Sequence, residues 1–235
     1  MGLASAQDEY GRRGDEAIAG LKDMVKVVDD ILIFSKSEQA HIDSVIALLE
    51  RFRKQGITLH AKKFHLGEST IKFCGYLVGQ DGIEADPDKL DAIKNFPTPS
   101  NLTDLRSFMG LVNQLGSFTK GISEAAGPLR DLMRPKNVFR WEASHQIAFE
   151  KIKLVLTSPP LLAHFDPKLK TRLETDASRL NGLGFALRQL HGKNWKLVQC
   201  GSRFLSDTES RYAMIELELL GVVWAMKKSK MYLLG

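Results

Sequence analysis

A chain of 235 residues with 43% hydrophobic content can bury a sizeable core, which excludes a disordered tail and leaves room for two or more subdomains. Its formal charge of +5 suits a polyanionic partner such as nucleic acid, but a surplus this small is equally common in ordinary soluble proteins and selects neither.

Residues 1 to about 24 are mixed and charged and read as an incomplete helix without a strong start signal. Next comes the apolar run Val25-Lys26-Val27-Val28-Asp29-Asp30-Ile31-Leu32-Ile33-Phe34. Its β-branched and aromatic residues belong in strands, so the two acids lie where two short strands meet or where one bends. Two adjacent carboxylates in apolar surroundings repel each other unless they face water or a cation neutralises them. A divalent-metal site and a solvated hairpin tip are equal readings at this point.

Ser35 and Glu38 have capping-box spacing, and Ile42, Val45, Ile46, Leu49 and Phe52 follow at helical intervals up to Gly56. Arg51, Arg53, Lys54, Lys62 and Lys63 form a basic cluster that suits a solvated helix end at least as well as phosphate contact. Ile71 to Val78, then Gly79 to Gly82 and Ile83, read as a hairpin with a glycine-bounded turn, and Gly75 within the strand suggests a bulge or close approach of another backbone. Asp86-Pro87 starts a helix ending before Pro97, and Ser100 starts a longer one with Leu102, Leu105, Phe108, Val112 and Leu115 on one face. A short helix over Pro128 to Met133 and another from Ser144, carrying Ala148, Ile152, Val155 and Leu156, precede Pro159-Pro160.

Beyond those prolines the period becomes that of strands, over Thr171 to Thr175, Gly182 to Leu190 and Trp195 to Ser202. Ser206 and Glu209 form a second capping box, expected to open a helix running to about Leu233. Three strands and a long helix make an α/β unit with Asp176 just after its first strand. Glu218 lies in mid-helix, where Glu216 is an equal candidate. Carboxylates from a strand end and a facing helix are one way of assembling a two-metal nuclease site.

The two cysteines have no metal or redox spacing and are expected to be buried free thiols, and the histidines form no paired motif. The start lacks a myristoylation or signal-peptide pattern, and Leu219 to Met226 is too short to span a bilayer, so an intracellular protein without a membrane segment is expected.

Taken in order, Val-Val-Asp-Asp-Ile-Leu-Ile-Phe-Ser, Phe-Cys-Gly-Tyr-Leu-Val, Gly-Ile-Glu-Ala-Asp-Pro-Asp-Lys, Leu-Arg-Ser-Phe-Met-Gly-Leu and Glu-Thr-Asp-Ala-Ser resemble the Pol polyprotein of gypsy-type long-terminal-repeat retrotransposons over nearly the whole chain. The resemblance implies an α+β chain in three parts. These are the C-terminal part of a reverse transcriptase palm over residues 1–85, thumb and connection helices over 86–143, and a C-terminally truncated ribonuclease H-like domain over 144–235. It implies that Asp29 and Asp30 are the paired palm aspartates that hold Mg2+ or Mn2+, and that Phe73, Cys74, Gly75 and Tyr76 form the primer-grip hairpin. Asp176 and Glu218 match the first two acids of ribonuclease H, with Glu218 preferred to Glu216 by its distance to Ala225. Lys62 and Lys63, from the basic cluster and not from the resemblance, are candidate nucleic-acid contacts beside them.

The implied partners are an RNA/DNA template-primer and, in the full-length enzyme, dNTPs. A dimer is admitted, and the location is cytoplasmic, nuclear or within virus-like particles. Val27 departs from the tyrosine usual before the acids, and Gln114, Leu115 and Gly116 replace the aromatic and basic residues usual there. A third acid for each site is expected outside this sequence, upstream of Gly2 and downstream of Gly235, which predicts an isolated chain without activity. The competing expectation is a non-catalytic nucleic-acid-binding or interaction protein derived from a retroelement.

Overall fold

The computed structural model describes residues 6–119, 122–134, 137–157 and 159–234. They form two compact units, residues 1–75 and 76–235.

In the first unit, helix α1 (Ala6–Ile18) leads into strands β1 (Met24–Val27) and β2 (Asp30–Ile33), followed by helix α2 (Glu38–Gln55), a single 3-10 turn at Ala61–Lys63 and strand β3 (Thr70–Phe73). Ala17, Leu48 and Phe52 are buried at its centre, with Met24, Ile31, Ile33 and Ile57 packed around them. The cap of α2 is Ser37, whose hydroxyl accepts the Ala40 N–H at 3.3 Å, not the expected Ser35. Gly56 ends the helix at φ 70°, the left-handed conformation that a residue without Cβ takes at little cost. The expected apolar face is only partly the buried one. Val45, Leu48 and Phe52 are buried while Ile42, Ile46 and Leu49 face outward, because the buried stripe turns toward Leu48.

The second unit opens with strands β4 (Tyr76–Gly79) and β5 (Gly82–Ala85), paired antiparallel about the turn Gln80-Asp81. Helices α3 (Pro87–Lys94), α4 (Leu102–Leu115), α5 (Ile122–Ala125), α6 (Gly127–Leu132) and α7 (Ala143–Leu156) then surround one core. Asp86 caps α3 and Asn101, rather than Ser100, caps α4. Phe108 anchors the core, with Phe149 4.6 Å and Phe96 5.3 Å from its ring centre. Tilted aromatic packing of this kind adds about 0.5–1.5 kcal/mol per pair beyond burial.

Strands β6 (Thr171–Ser178), β7 (Gly182–His191) and β8 (Asn194–Arg203) make an antiparallel sheet in chain order, covered by helix α8 (Met214–Lys228) and followed by α9 (Lys230–Leu234). Leu197 and Phe204 join the helical core, and Arg130 reaches across to the Leu205 carbonyl at 2.8 Å. Helices and sheet therefore fold as one unit.

The helix expected from Ser206 begins only at Met214. The capping box is present, with Ser206 N–H on Glu209 Oε2 at 2.8 Å and Glu209 N–H on Ser206 Oγ at 3.2 Å, yet it opens one 3-10 turn, Glu209–Arg211. Arg203 holds the same Glu209 carboxylate with two nitrogens at 2.7 and 2.8 Å, and Tyr212 leaves the turn in extended conformation. The box ties a loop to the end of β8 instead of starting a long helix.

Candidate functional site

Asp29 and Asp30 occupy the tip of the β1–β2 hairpin. Val27 pairs with Asp30, leaving Val28-Asp29 as a two-residue turn. Val28 has φ 56°, a region that a β-branched side chain adopts only under strain and that glycine usually fills in tight hairpins. Both aspartates are exposed, and neither carboxylate takes a hydrogen bond or ion pair among the described residues. The tip is therefore solvent-exposed, and exposure alone is compatible with both the metal-site and the solvated-tip readings.

The Cys74 thiol belongs to the same unit. It is exposed, not buried as expected, and both partial burial and the negative charge of Asp30 push its pKa up. Gly75 does not lie inside a strand. Cys74 at φ 51° and Gly75 at φ 80° form a turn after β3, and that turn, not a bulge, is what requires glycine. Phe73 is half-buried, and Tyr76 turns its ring into the core of the second unit, 5.6 Å from Phe118. Lys62 and Lys63 stand exposed on their 3-10 turn, as do Arg53 and Lys54 at the end of α2. Arg51 is different: its guanidinium bonds the Ala17 and Ala19 carbonyls at 3.3 and 3.1 Å, closing the end of α1.

In the second unit Asp176 is exposed on β6 and lines a shallow cavity of about 160 Å³ with Ser123, Glu124, Glu174 and Ser202. Helix α8 approaches this strand closely. A methyl group on Gly221 would stand 3.9 Å from the Asp176 carbonyl oxygen and 4.0 Å from Ala177 Cβ. Half-buried Glu218 lies one helical turn before that contact, on the face shared by i and i+3. Glu216, an equal candidate by sequence, is engaged elsewhere: its carboxylate accepts the Ala213 N–H at 2.7 Å and caps the helix.

The other acids of the sheet and α8 are likewise engaged. Glu174 bridges Arg172 and Arg188 at 2.6 and 3.2 Å, Glu209 binds Arg203, and Asp207 lies 3.9 Å from Arg134. Asp176 and Glu218 alone have no partner among the described residues of this region. Paired oxygen donors of this type suit Mg2+ or Mn2+, although the described residues contain no cluster of three or more metal-capable side chains.

The family described as "RNase H-like domain found in reverse transcriptase" matches residues 141–235. The Tf2-3 and Tf2-7 transposon polyproteins of Schizosaccharomyces pombe are each 32% identical to this chain over 212 residues, 89% of its length. The chain spans only 16% of those polyproteins. Among solved structures, a foamy viral protease-reverse transcriptase in complex with an RNA/DNA hybrid superposes with a TM-score of 0.88 at 22% identity, covering 100% of this chain and 32% of that one. The same kind of protein in complex with double-stranded DNA gives 0.85 at 21% identity, covering 99% and 49%.

The fold is that of the reverse transcriptase and RNase H region, and residues 141–235 carry its RNase H-like domain. Over most of its length the chain is similar to a segment of retrotransposon Pol polyproteins.

Proposed function

We propose that this segment serves an RNA-directed DNA polymerase with ribonuclease H activity, processing an RNA/DNA template-primer by divalent-metal phosphoryl transfer. The observation that carries this reading is the state of the carboxylates. In a region where neighbouring acids are tied to arginine or to a helix end, the carboxylates of Asp176 and Glu218 have no partner among the described residues, and the same holds for Asp29 and Asp30 at a strained hairpin tip.

Asp29 and Asp30 would hold Mg2+ or Mn2+ in the first unit, and Asp176 and Glu218 in the second. When bound there, the ion would neutralise phosphate charge and favour the ionised form of an attacking hydroxyl or water. The remaining work falls to the chain. The hairpin presents both acids on one rigid turn, the exposed lysines offer charge to the phosphate backbone, and α8 against β6 fixes where Glu218 stands relative to Asp176. Two carboxylates orient an ion for in-line displacement less firmly than three, so the segment by itself is expected to show no polymerase or nuclease turnover.

Binding to a labelled RNA/DNA hybrid tests the nucleic-acid half of this reading. Affinity should fall as salt rises, with log K against log salt losing about 0.7–0.9 in slope per phosphate contact removed. Charge reversal at Lys62 and Lys63 should flatten that slope. Absence of hybrid binding at low salt would contradict it.

The second reading, a non-catalytic nucleic-acid-binding protein, draws on the exposed basic residues Arg53, Lys54, Lys62 and Lys63. It predicts hybrid binding that Asp29→Asn and Asp176→Asn leave unchanged even with Mn2+ present.

A further inference from the structure

The apolar run before the acids contains one charge, Lys26, and the strand turns it the unexpected way. Alternation along β1 exposes Val25 and Val27, 41% and 43% accessible, while the Lys26 side chain is only 7% accessible. Two valines are thus given to solvent so that a lysine can face inward, the reverse of what burial energetics favours by about 1.5–3 kcal/mol per apolar side chain.

The inward ammonium finds three acceptors, matching its three N–H donors. They are the Val28 carbonyl at 3.0 Å, the Asp15 carboxylate at 3.0 Å and the Gly11 carbonyl at 3.3 Å. Gly11 and Asp15 belong to α1, whereas Val28 is the strained residue of the hairpin tip. Gly14 makes room: a Cβ there would stand 3.1 Å from Lys26 Cε and 3.2 Å from its Nζ, closer than a packed side chain tolerates without shifting. A glycine inside a helix costs roughly 1 kcal/mol relative to alanine. The lysine's position therefore draws on two locally unfavourable choices, an inverted strand pattern and a helical glycine.

We infer that Lys26 is the positioning residue of the polymerase-type hairpin: its ammonium ties the Val28 carbonyl to α1 and so fixes the direction in which Asp29 and Asp30 present their carboxylates. The inference rests on the proposed role of those acids. The latch itself is a property of the metal-free chain and can be measured apart from that role. Asp15 is 71% accessible, so its ion pair contributes little, and the carbonyl contacts hold the tip.

Amide hydrogen exchange on the full chain without metal tests the latch. Lys26→Met keeps the aliphatic stem and removes the ammonium. It should speed exchange across Val27 and Asp30 at least tenfold while the amides of α2 keep their protection. Gly14→Ala, which crowds the ammonium without deleting it, should act in the same direction. Lys26→Arg should restore part of the protection, and Asp15→Asn should change it less than threefold.

Unchanged exchange at the tip in both Lys26→Met and Gly14→Ala would overturn the latch, as would a loss of protection spread evenly over the first unit. Mn2+ titration of the same variants then reads the consequence. Asp29 and Asp30 in the Lys26→Met chain should need at least threefold more Mn2+ than in the unaltered chain, and equal affinity would overturn the positioning role. If the unaltered chain binds no Mn2+ at the tip while the exchange result holds, the metal reading of Asp29 and Asp30 fails and the latch stands as a structural tie.

Discussion

Glu209 and Glu218 show how two glutamates nine positions apart acquire opposite roles. Arg203, and then the Ser206 backbone, hold the Glu209 carboxyl at about 2 against an ordinary 4.5, so the charged form is the folded form. A depressed carboxyl contributes stability that is fully present above pH 4.5 and is lost as pH falls from there through about 2. Glu209→Gln should therefore destabilise the chain at pH 7 by about 1–3 kcal/mol, the cost of leaving a half-buried guanidinium without its partner. The gap to the unaltered chain should narrow below pH 4.5, a trend that urea midpoints at pH 7, 4 and 3 would follow. Glu218 has no such partner among the described residues. Residue pattern alone left Glu216 and Glu218 level, and the family resemblance preferred Glu218; the Ala213 N–H on Glu216 gives a separate physical reason to set Glu216 aside. Lys26 was equally hidden, because a lone lysine between valines reads as the solvent face of a strand.

At the scale of elements, the Asp29-Asp30 hairpin, α2, α4, α7 and the three strands of the sheet were legible from periodicity and turn residues. Local signals failed where tertiary contacts competed with them. The Ser206–Glu209 box had the right spacing for a helix start, but Arg203 took the same carboxylate and held the segment as a loop. The stretch from Ile71 to Val78 read as one strand because its side chains are uniformly strand-like, and only the left-handed Cys74-Gly75 pair divides it. Gly221 in α8 makes a usable test of helix against sheet. A methyl there meets its nearest neighbour at 3.8 Å, an ordinary contact. Gly221→Ala should thus gain helix propensity and stabilise by up to about 1 kcal/mol. Gly221→Leu must instead displace α8 from β6 and should cost roughly 1–3 kcal/mol. Thermal melts of the two variants should move in opposite directions.

At the scale of the whole molecule, each of two compact units presents carboxylates without a side-chain partner among the described residues, in a chain similar to retrotransposon Pol polyproteins. The family resemblance was legible because several motifs occur in one order. The pairing of helices and sheet around a shared core in the second unit was not, since it depends on contacts such as Arg130 to Leu205 across 75 positions. The central claim is that the unpartnered acids are divalent-metal ligands. Mn2+ titration of the full chain followed by residue-resolved NMR line broadening tests it most directly. Broadening should concentrate at residues 28–30 and around Asp176 and Glu218, with Asp29→Asn removing the first focus and Asp176→Asn the second. Broadening centred on other acids, or spread evenly over the surface and indifferent to both substitutions, would contradict the account.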